Sequence, residues 1–307
     1  MEYAKSGTEI LYSALRNKLN SSYFSGINLF LSTLDPSIFK DDAINVLWNH
    51  HNTDQPAISA YSEKSILEQV QFFVYVSNWQ YEKYRYKYDI PEGRSIVIRN
   101  AVDLIQHRPR NTKKIKIIYT STPWRGLDVL LEAFSYLNRD DVELDIYSST
   151  KIYGSEFHLA NEDKFKPLFE RAKQMRNVNY YGYKSNDLVR TALQEGHIFA
   201  YPSTWEETSC LSVIEAGMSG MSLVVTNLGA LYETVGSWGR YVCYESNKRN
   251  LAIKFAIELN NAINEYWSNK TQAKLEQQHQ YFKEFYSWDS RLEEWKSFLS
   301  LVKGSVR

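Results

Sequence analysis

Residues 197–227 read HIFAYPSTWEETSCLSVIEAGMSGMSLVVTN. Two short runs rich in β-branched and aromatic residues, HIFAYPS (197–203) and SLVVTN (222–227), flank a stretch whose apolar residues recur at helical spacing. Strand, loop, helix and strand in this order make a parallel βαβ unit. The first strand is expected to end at Tyr201–Pro202, the loop to hold Glu206 and Glu207, and the helix to start near Ser209. Ser209 then caps the helix, and the amides of Cys210, Leu211 and Ser212 are left to receive an anion, for which a phosphate is the natural guest. Glu215 follows Glu207 by eight residues, about two turns into the helix on this reading. Two carboxylates bracketing an anion site suit a sugar joined to a diphosphate, because carboxylates accept hydrogen bonds from hydroxyls. On spacing alone, a surface loop acid and an ordinary helix glutamate explain the pair as well.

The same alternation runs through nearly the whole chain. Strands are expected at 27–32, 44–50, 72–78, 95–100, 115–121, 142–148, 178–183 and 240–245, with amphipathic stretches such as GLDVLLEAFSYL (126–137) between them. This order predicts two α/β, Rossmann-like domains with parallel sheets. The polar and basic segment DLIQHRPRNTKK (103–114) reads as the linker, giving an N-terminal domain over 1–103 and a C-terminal domain over 104–286. From about residue 248 the pattern is almost purely helical.

Composition narrows the function. Hydrophobic residues make up 43% and charged residues 23%, and Lys plus Arg equals Asp plus Glu at 36 each. Nothing in this balance suggests nucleic-acid binding, which favours a basic excess. The cysteines, Cys210 and Cys243, have no metal-like spacing and fit a reducing compartment. The start, MEYAKSGTEILYSAL, lacks a signal-peptide pattern, and no apolar run approaches the roughly 20 residues that span a bilayer. A cytoplasmic location is expected. The run YEKYRYKY (81–88) mixes tyrosines with bases and could meet a membrane surface peripherally, or simply form a solvated amphipathic helix.

The stretch 201–227 resembles the C-terminal signature of family-four retaining glycosyltransferases (glycosyl transferases group 1), in which two glutamates separated by seven residues follow a proline–serine loop. YTSTPWRGLDVLLEAF (119–134) is similar to the segment of that family that ends in a basic residue and glycine before an LLEAF-type helix. VNYYGYKSNDLV (178–189) resembles its nucleobase-reading strand and turn, with Tyr183 and Lys184 at the turn. The resemblance implies a GT-B-like fold, two Rossmann-like domains facing across a cleft, with the terminal helix (residues 287–307), which begins SWDSRLEEWKSFL, crossing back onto the N-terminal domain. It implies that Glu207 holds the donor sugar, Glu215 the ribose, and Arg125 the diphosphate, where a guanidinium fork suits two phosphate oxygens. The family often carries a second basic residue where this chain has Thr120.

SGTEILYSAL (6–15) looks like the family's glycine-containing loop near the donor phosphates, with Gly7 and Thr8 at its tip, although the strand that normally precedes it is missing or much shortened. LWNHHNTDQP (47–56) places His50 and His51 at the C-terminal end of a strand, where α/β sites gather and where the family commonly has a histidine at the sugar end of the cleft. No Asp-x-Asp motif or His/Cys cluster appears, so no metal and no other cofactor is expected. Cys210 reads as a packing residue at the helix start. The expected activity is a metal-independent, retaining hexosyltransferase-type glycosyltransferase that uses a nucleotide-diphosphate-sugar, with a glycan, lipid-linked or protein acceptor that the sequence leaves open. A nucleotide-sugar-binding subunit without turnover and a GT-B sugar epimerase are the alternatives.

Overall fold

The computed structural model describes residues 7–110, 112 and 114–305. These divide into two compact units. One comprises Gly7–Asp103, Glu207–Ser209 and the described residues from Phe285 onward; the other comprises the described residues of Leu104–Glu206 and Cys210–Glu284.

The N-terminal unit opens with α1 (Gly7–Lys18), followed by β1 (Ile27–Leu31), β2 (Ile44–Trp48), a short α2 (Lys64–Leu67), β3 (Phe72–Tyr75), α3 (Asn78–Tyr88) and β4 (Ser95–Val97). The strands are all parallel and stand in chain order, β1-β2-β3-β4. Their apolar runs, such as VLW in β2 and FVY in β3, are buried through consecutive positions, as expected of a parallel sheet covered on both faces. One face packs a core unusually rich in tyrosine: Tyr61, Tyr75 and Tyr84 join Phe30, Leu47 and Phe73.

The C-terminal unit holds β5 (Ile115–Thr120), α4 (Leu127–Leu137), β6 (Val142–Tyr147), α5 (Ser155–Gln174), β7 (Val178–Tyr180), α6 (Asn186–Glu195), β8 (Ile198–Tyr201), α7 (Leu211–Met218), β9 (Ser222–Thr226), α8 (Leu231–Val235), β10 (Arg240–Val242), α9 (Lys248–Glu265) and α10 (Asn269–Tyr286). Its sheet runs β10-β9-β8-β5-β6-β7 and is parallel throughout. Counted from β5 this is the doubly wound order 3-2-1-4-5-6, whose direction of winding reverses between β5 and β8. The last helix, α11 (Trp288–Gly304), belongs to the N-terminal unit. It sets Trp295 edge-on against Trp48 at 4.7 Å and Phe298 against Phe72 at 5.9 Å.

The strands expected from sequence are present, each ending one to three residues before the end of its expected range. The segment 103–114 is only partly a free connection. Ile105 is buried, its amide donating to Met218 Sδ. The buried Arg110 guanidinium donates to the carbonyls of Ser219 (2.7 Å), Gly220 (3.0 Å) and Leu193 (3.4 Å). Asn111 and Lys113 of that segment, and Ser6 of the expected N-terminal loop, lie outside the described residues.

Candidate functional site

In a doubly wound sheet, ligands bind beyond the C-terminal ends of the strands that flank the reversal of winding. Here those strands are β5 and β8, and the two loops that follow them carry the segments singled out in the sequence. The loop after β5 is braced by its own side chains. Tyr119 donates its hydroxyl to the Thr122 carbonyl at 2.8 Å, and the Arg125 amide donates to the same carbonyl at 3.2 Å. Gly126 closes the loop with φ +99°, and a Cβ built on it would stand 2.0 Å from the Pro202 carbonyl oxygen. Only glycine fits there, on conformation and on space. The backbone beside Arg125 therefore lies directly on the loop after β8.

That second loop is equally fixed. Ser203 Oγ donates to the Trp205 carbonyl (2.9 Å) and accepts from the Trp205 amide (3.2 Å), Thr226 Oγ1 of β9 donates to the Ser203 carbonyl (2.8 Å), and Thr204 Oγ1 donates to the Trp124 carbonyl (3.3 Å). Trp124, beside Arg125, and residues 203–205 are thus held by one set of hydrogen bonds. Thr120, where the related sequences often carry a base, is a buried strand residue.

The expected cap at Ser209 is not found. The residue at the N-cap of α7 is Cys210, with φ −86° and ψ 104° and no side-chain cap bond. Ser209 instead gives its carbonyl to Asn100 Nδ2 at 3.5 Å. The helix starts one residue later than a cap at Ser209 requires. The first-turn amides of α7, from Leu211, are accordingly not covered by a side-chain cap. Cys210 is buried, as a packing residue would be. Glu215 lies one turn into α7, nearer its start than the sequence suggested, and accepts from Arg190 Nε of α6 at 3.0 Å. Tyr183 and Lys184 stand in the turn after β7, next to Gly182 at φ +65°; Tyr183 is half-buried and Lys184 exposed.

In the N-terminal unit, Gly7 and Thr8 form the first turn of α1, both half-buried. His50 and His51 follow β2. The His50 amide donates to Ser32 Oγ at 3.2 Å, its ring lies 4.7 Å from Trp48, and its carbonyl accepts from Thr208 Oγ1 at 3.0 Å. Burial, with His51 beside it, pushes the His50 imidazole down to about 3, so the ring is neutral at ordinary pH. Burial also lowers His51. The Thr208 contact brings His50 next to the segment of the buried Glu207.

Three contributors escaped the sequence reading. Arg190 gave no signal, being one cation among several on an amphipathic helix. Thr208 was hidden between two better candidates. Gln80 did have one: Ser77-Asn78-Trp79-Gln80 is a Ser-x-x-Gln helix start, and Ser77 Oγ indeed accepts from the Gln80 amide at 3.1 Å. Among the described residues no three His, Cys, Asp or Glu side chains are grouped to hold a metal, and no helix is long and apolar enough to cross a membrane.

Comparison with solved structures finds the same architecture. A glycosyltransferase from Rickettsia africae ESF-5 superposes with a TM-score of 0.73 at 16% identity, over 98% of this chain and 83% of that one. The Anabaena protein HepE, in complex with UDP and glucose, gives 0.70 at 14% identity over 96% and 83%. The sucrose-phosphate synthase of Thermosynechococcus elongatus gives 0.70 at 15% over 97% and 79%. A search of curated proteins finds no match. The sequence pattern of the family described as glycosyl transferases group 1 matches residues 103–279, more than half of the 307. This chain belongs to the glycosyl transferases group 1, with two parallel-sheet α/β domains of the GT-B kind.

Proposed function

We propose that this chain is a retaining, metal-independent glycosyltransferase of family four that moves a hexosyl group from a nucleotide-diphosphate-sugar to an acceptor. The observation that carries the reading is the contact of Gly126 on Pro202, which fixes Arg125 beside the loop after β8 where the sheet reverses. A guanidinium held there can take two phosphate oxygens, and the uncapped first turn of α7 adds backbone amides. Bond cleavage at the anomeric carbon leaves negative charge on the diphosphate as the sugar gains oxocarbenium character. Fixed donors that bind this charge more strongly than the ground state accelerate the step. Glu207 holds donor hydroxyls, Glu215 the ribose, and the neutral His50–His51 pair serves the sugar end. Charge on the leaving group is met by Arg125 and amides, which leaves no role that requires a metal. The UDP and glucose in the HepE structure support a nucleotide-diphosphate-sugar donor of this type.

The test is calorimetry with UDP, combined with turnover of UDP-glucose in excess chelator. Arg125→Ala should lower UDP affinity by about 1.5–3 kcal/mol, the range for a charge-assisted contact. Glu207→Gln should leave UDP binding nearly intact while lowering kcat, because it removes a contact to the sugar alone. Unchanged UDP affinity in a folded Arg125→Ala protein, or turnover that chelation abolishes and Mg²⁺ restores, would overturn the reading.

A further inference from the structure

Three consecutive backbone carbonyls follow β2, those of Asn49, His50 and His51, and each accepts from a side chain brought by another element. Gln80, fully buried in the first turn of α3, donates through Nε2 to the Asn49 carbonyl (3.2 Å) and to the His51 carbonyl (2.8 Å). Its Oε1 accepts from the Val76 amide at 2.9 Å. One carboxamide therefore ties the end of β3, the start of α3 and the turn after β2 together. Tyr84, one helical turn on and also buried, adds its hydroxyl to the His51 carbonyl at 3.2 Å. Thr208 Oγ1 takes the carbonyl between them, His50, at 3.0 Å. Asn49 Oδ1 completes the turn by accepting from the His51 amide at 2.9 Å.

Asn49 is fully buried and His50 and His51 are half-buried, so their carbonyls need protein partners, and burying a glutamine costs free energy unless its polar atoms are used. Here they are used on the two carbonyls that bracket the His50 peptide. We propose that Gln80, Tyr84 and Thr208 are positioning residues: together they set where the imidazoles of His50 and His51 stand, and through Thr208 they tie that turn to the segment beginning at Glu207. The assignment rests on the proposed role of this turn and of Glu207 in the sugar end of the site. None of the three residues needs to touch substrate. Each acts through the backbone it holds, and a displacement of about 1 Å in such a framework is enough to cost a large factor in rate.

Amide hydrogen exchange on the full chain tests this without a substrate. Thr208→Val and Tyr84→Phe each remove one hydroxyl and keep the volume; Gln80→Glu keeps the acceptor for Val76 and removes both donors. The expected result is reciprocal. Thr208→Val should speed exchange in the 49–53 segment roughly tenfold, and Tyr84→Phe should do the same in the 207–210 segment, which it does not touch, while the melting temperature moves little. Exchange unchanged in both folded variants, a rise in Tyr84→Phe confined to the 49–53 turn that it touches, or a rise spread over the whole unit in step with a lower melting temperature would each overturn the inference. Turnover of UDP-glucose by Glu207→Gln decides the underlying reading separately, so either can fail while the other stands.

Discussion

Arg190 Nε of α6 stands 3.0 Å from Glu215 Oε1 of α7, both side chains mostly withdrawn from solvent. Glu215 is thereby held in a fixed orientation, and the ribose role proposed for it depends on that. Glu215→Gln should weaken UDP binding by about 1.5–3 kcal/mol, the cost of losing a charged hydrogen-bond acceptor. Arg190→Gln only loosens the acceptor and should cost about 0.5–1 kcal/mol in the same calorimetric measurement. An Arg190→Gln loss equal to or larger than that of Glu215→Gln would show that the guanidinium itself grips the nucleotide.

Gly126 makes a sharper prediction about stability. An alanine there meets a backbone carbonyl at 2.0 Å and must hold φ near +99°. Gly126→Ala should lower the unfolding free energy of the C-terminal unit by at least about 2 kcal/mol, since strain and overlap act together. A melting temperature within a degree or two of the parent would remove the claim that this contact sets the position of Arg125.

Arg110 packs at the C-terminal end of α7, where the helix dipole and the last carbonyls favour a cation. Burial lowers its pKa, Tyr266 opposes that shift, and three carbonyls accept from its guanidinium. Arg110→Met fills much of the volume but orphans those carbonyls, and should cost about 2–3 kcal/mol. Thermal melts showing less than about 0.5 kcal/mol would return this segment to the status of a plain linker.

Acid should destabilise the protein from below pH 6.5. Burial pushes His50 down to about 3, and burial with Arg110 and Lys116 nearby pushes His197 down to about 4. His197 Nδ1 accepts from the Lys116 amide at 3.1 Å, so protonation there breaks a bond between β5 and the residue that precedes β8. Both folded pKa values lie below the unfolded value near 6.5. Between pH 6.5 and about 4 the unfolded chain therefore binds more protons, and stability falls as pH falls. Above pH 7 the two groups contribute no slope. The melting temperature should drop between pH 7 and pH 5, and drop less in His197→Gln than in the parent. Equal drops in the two proteins would exclude His197 as a source.

Much of the fold was legible because parallel strands buried on both faces announce themselves as short continuous apolar runs, as in IFAY of β8 and LVV of β9. The strand ends were less so. Asn49 still gives its amide to Val74 of β3, yet the carbonyls of Asn49 and His50 are taken by side chains rather than by a neighbouring strand. The cap of the helix carrying Glu215 was placed one residue early, since Ser209 has the chemistry of a cap while its carbonyl accepts from Asn100. What a linear pattern could not reveal is convergence from distant elements: Arg190 on Glu215, or Arg110 on the last turn of α7. Each is an unremarkable residue until the chain folds.

The N-terminal unit is assembled from both ends of the described sequence, with the 104–284 unit translated between its parts, apart from the three residues 207–209. During vectorial synthesis Trp48 and Phe72 leave the ribosome long before Trp295 and Phe298, the rings that cover them. The later unit has nearly all of its residues available first, so it can complete its sheet while the earlier one still exposes a strip of aromatic surface. The unit that begins first is the one that finishes last, and in that interval it depends on chaperones or on speed to avoid association through that strip.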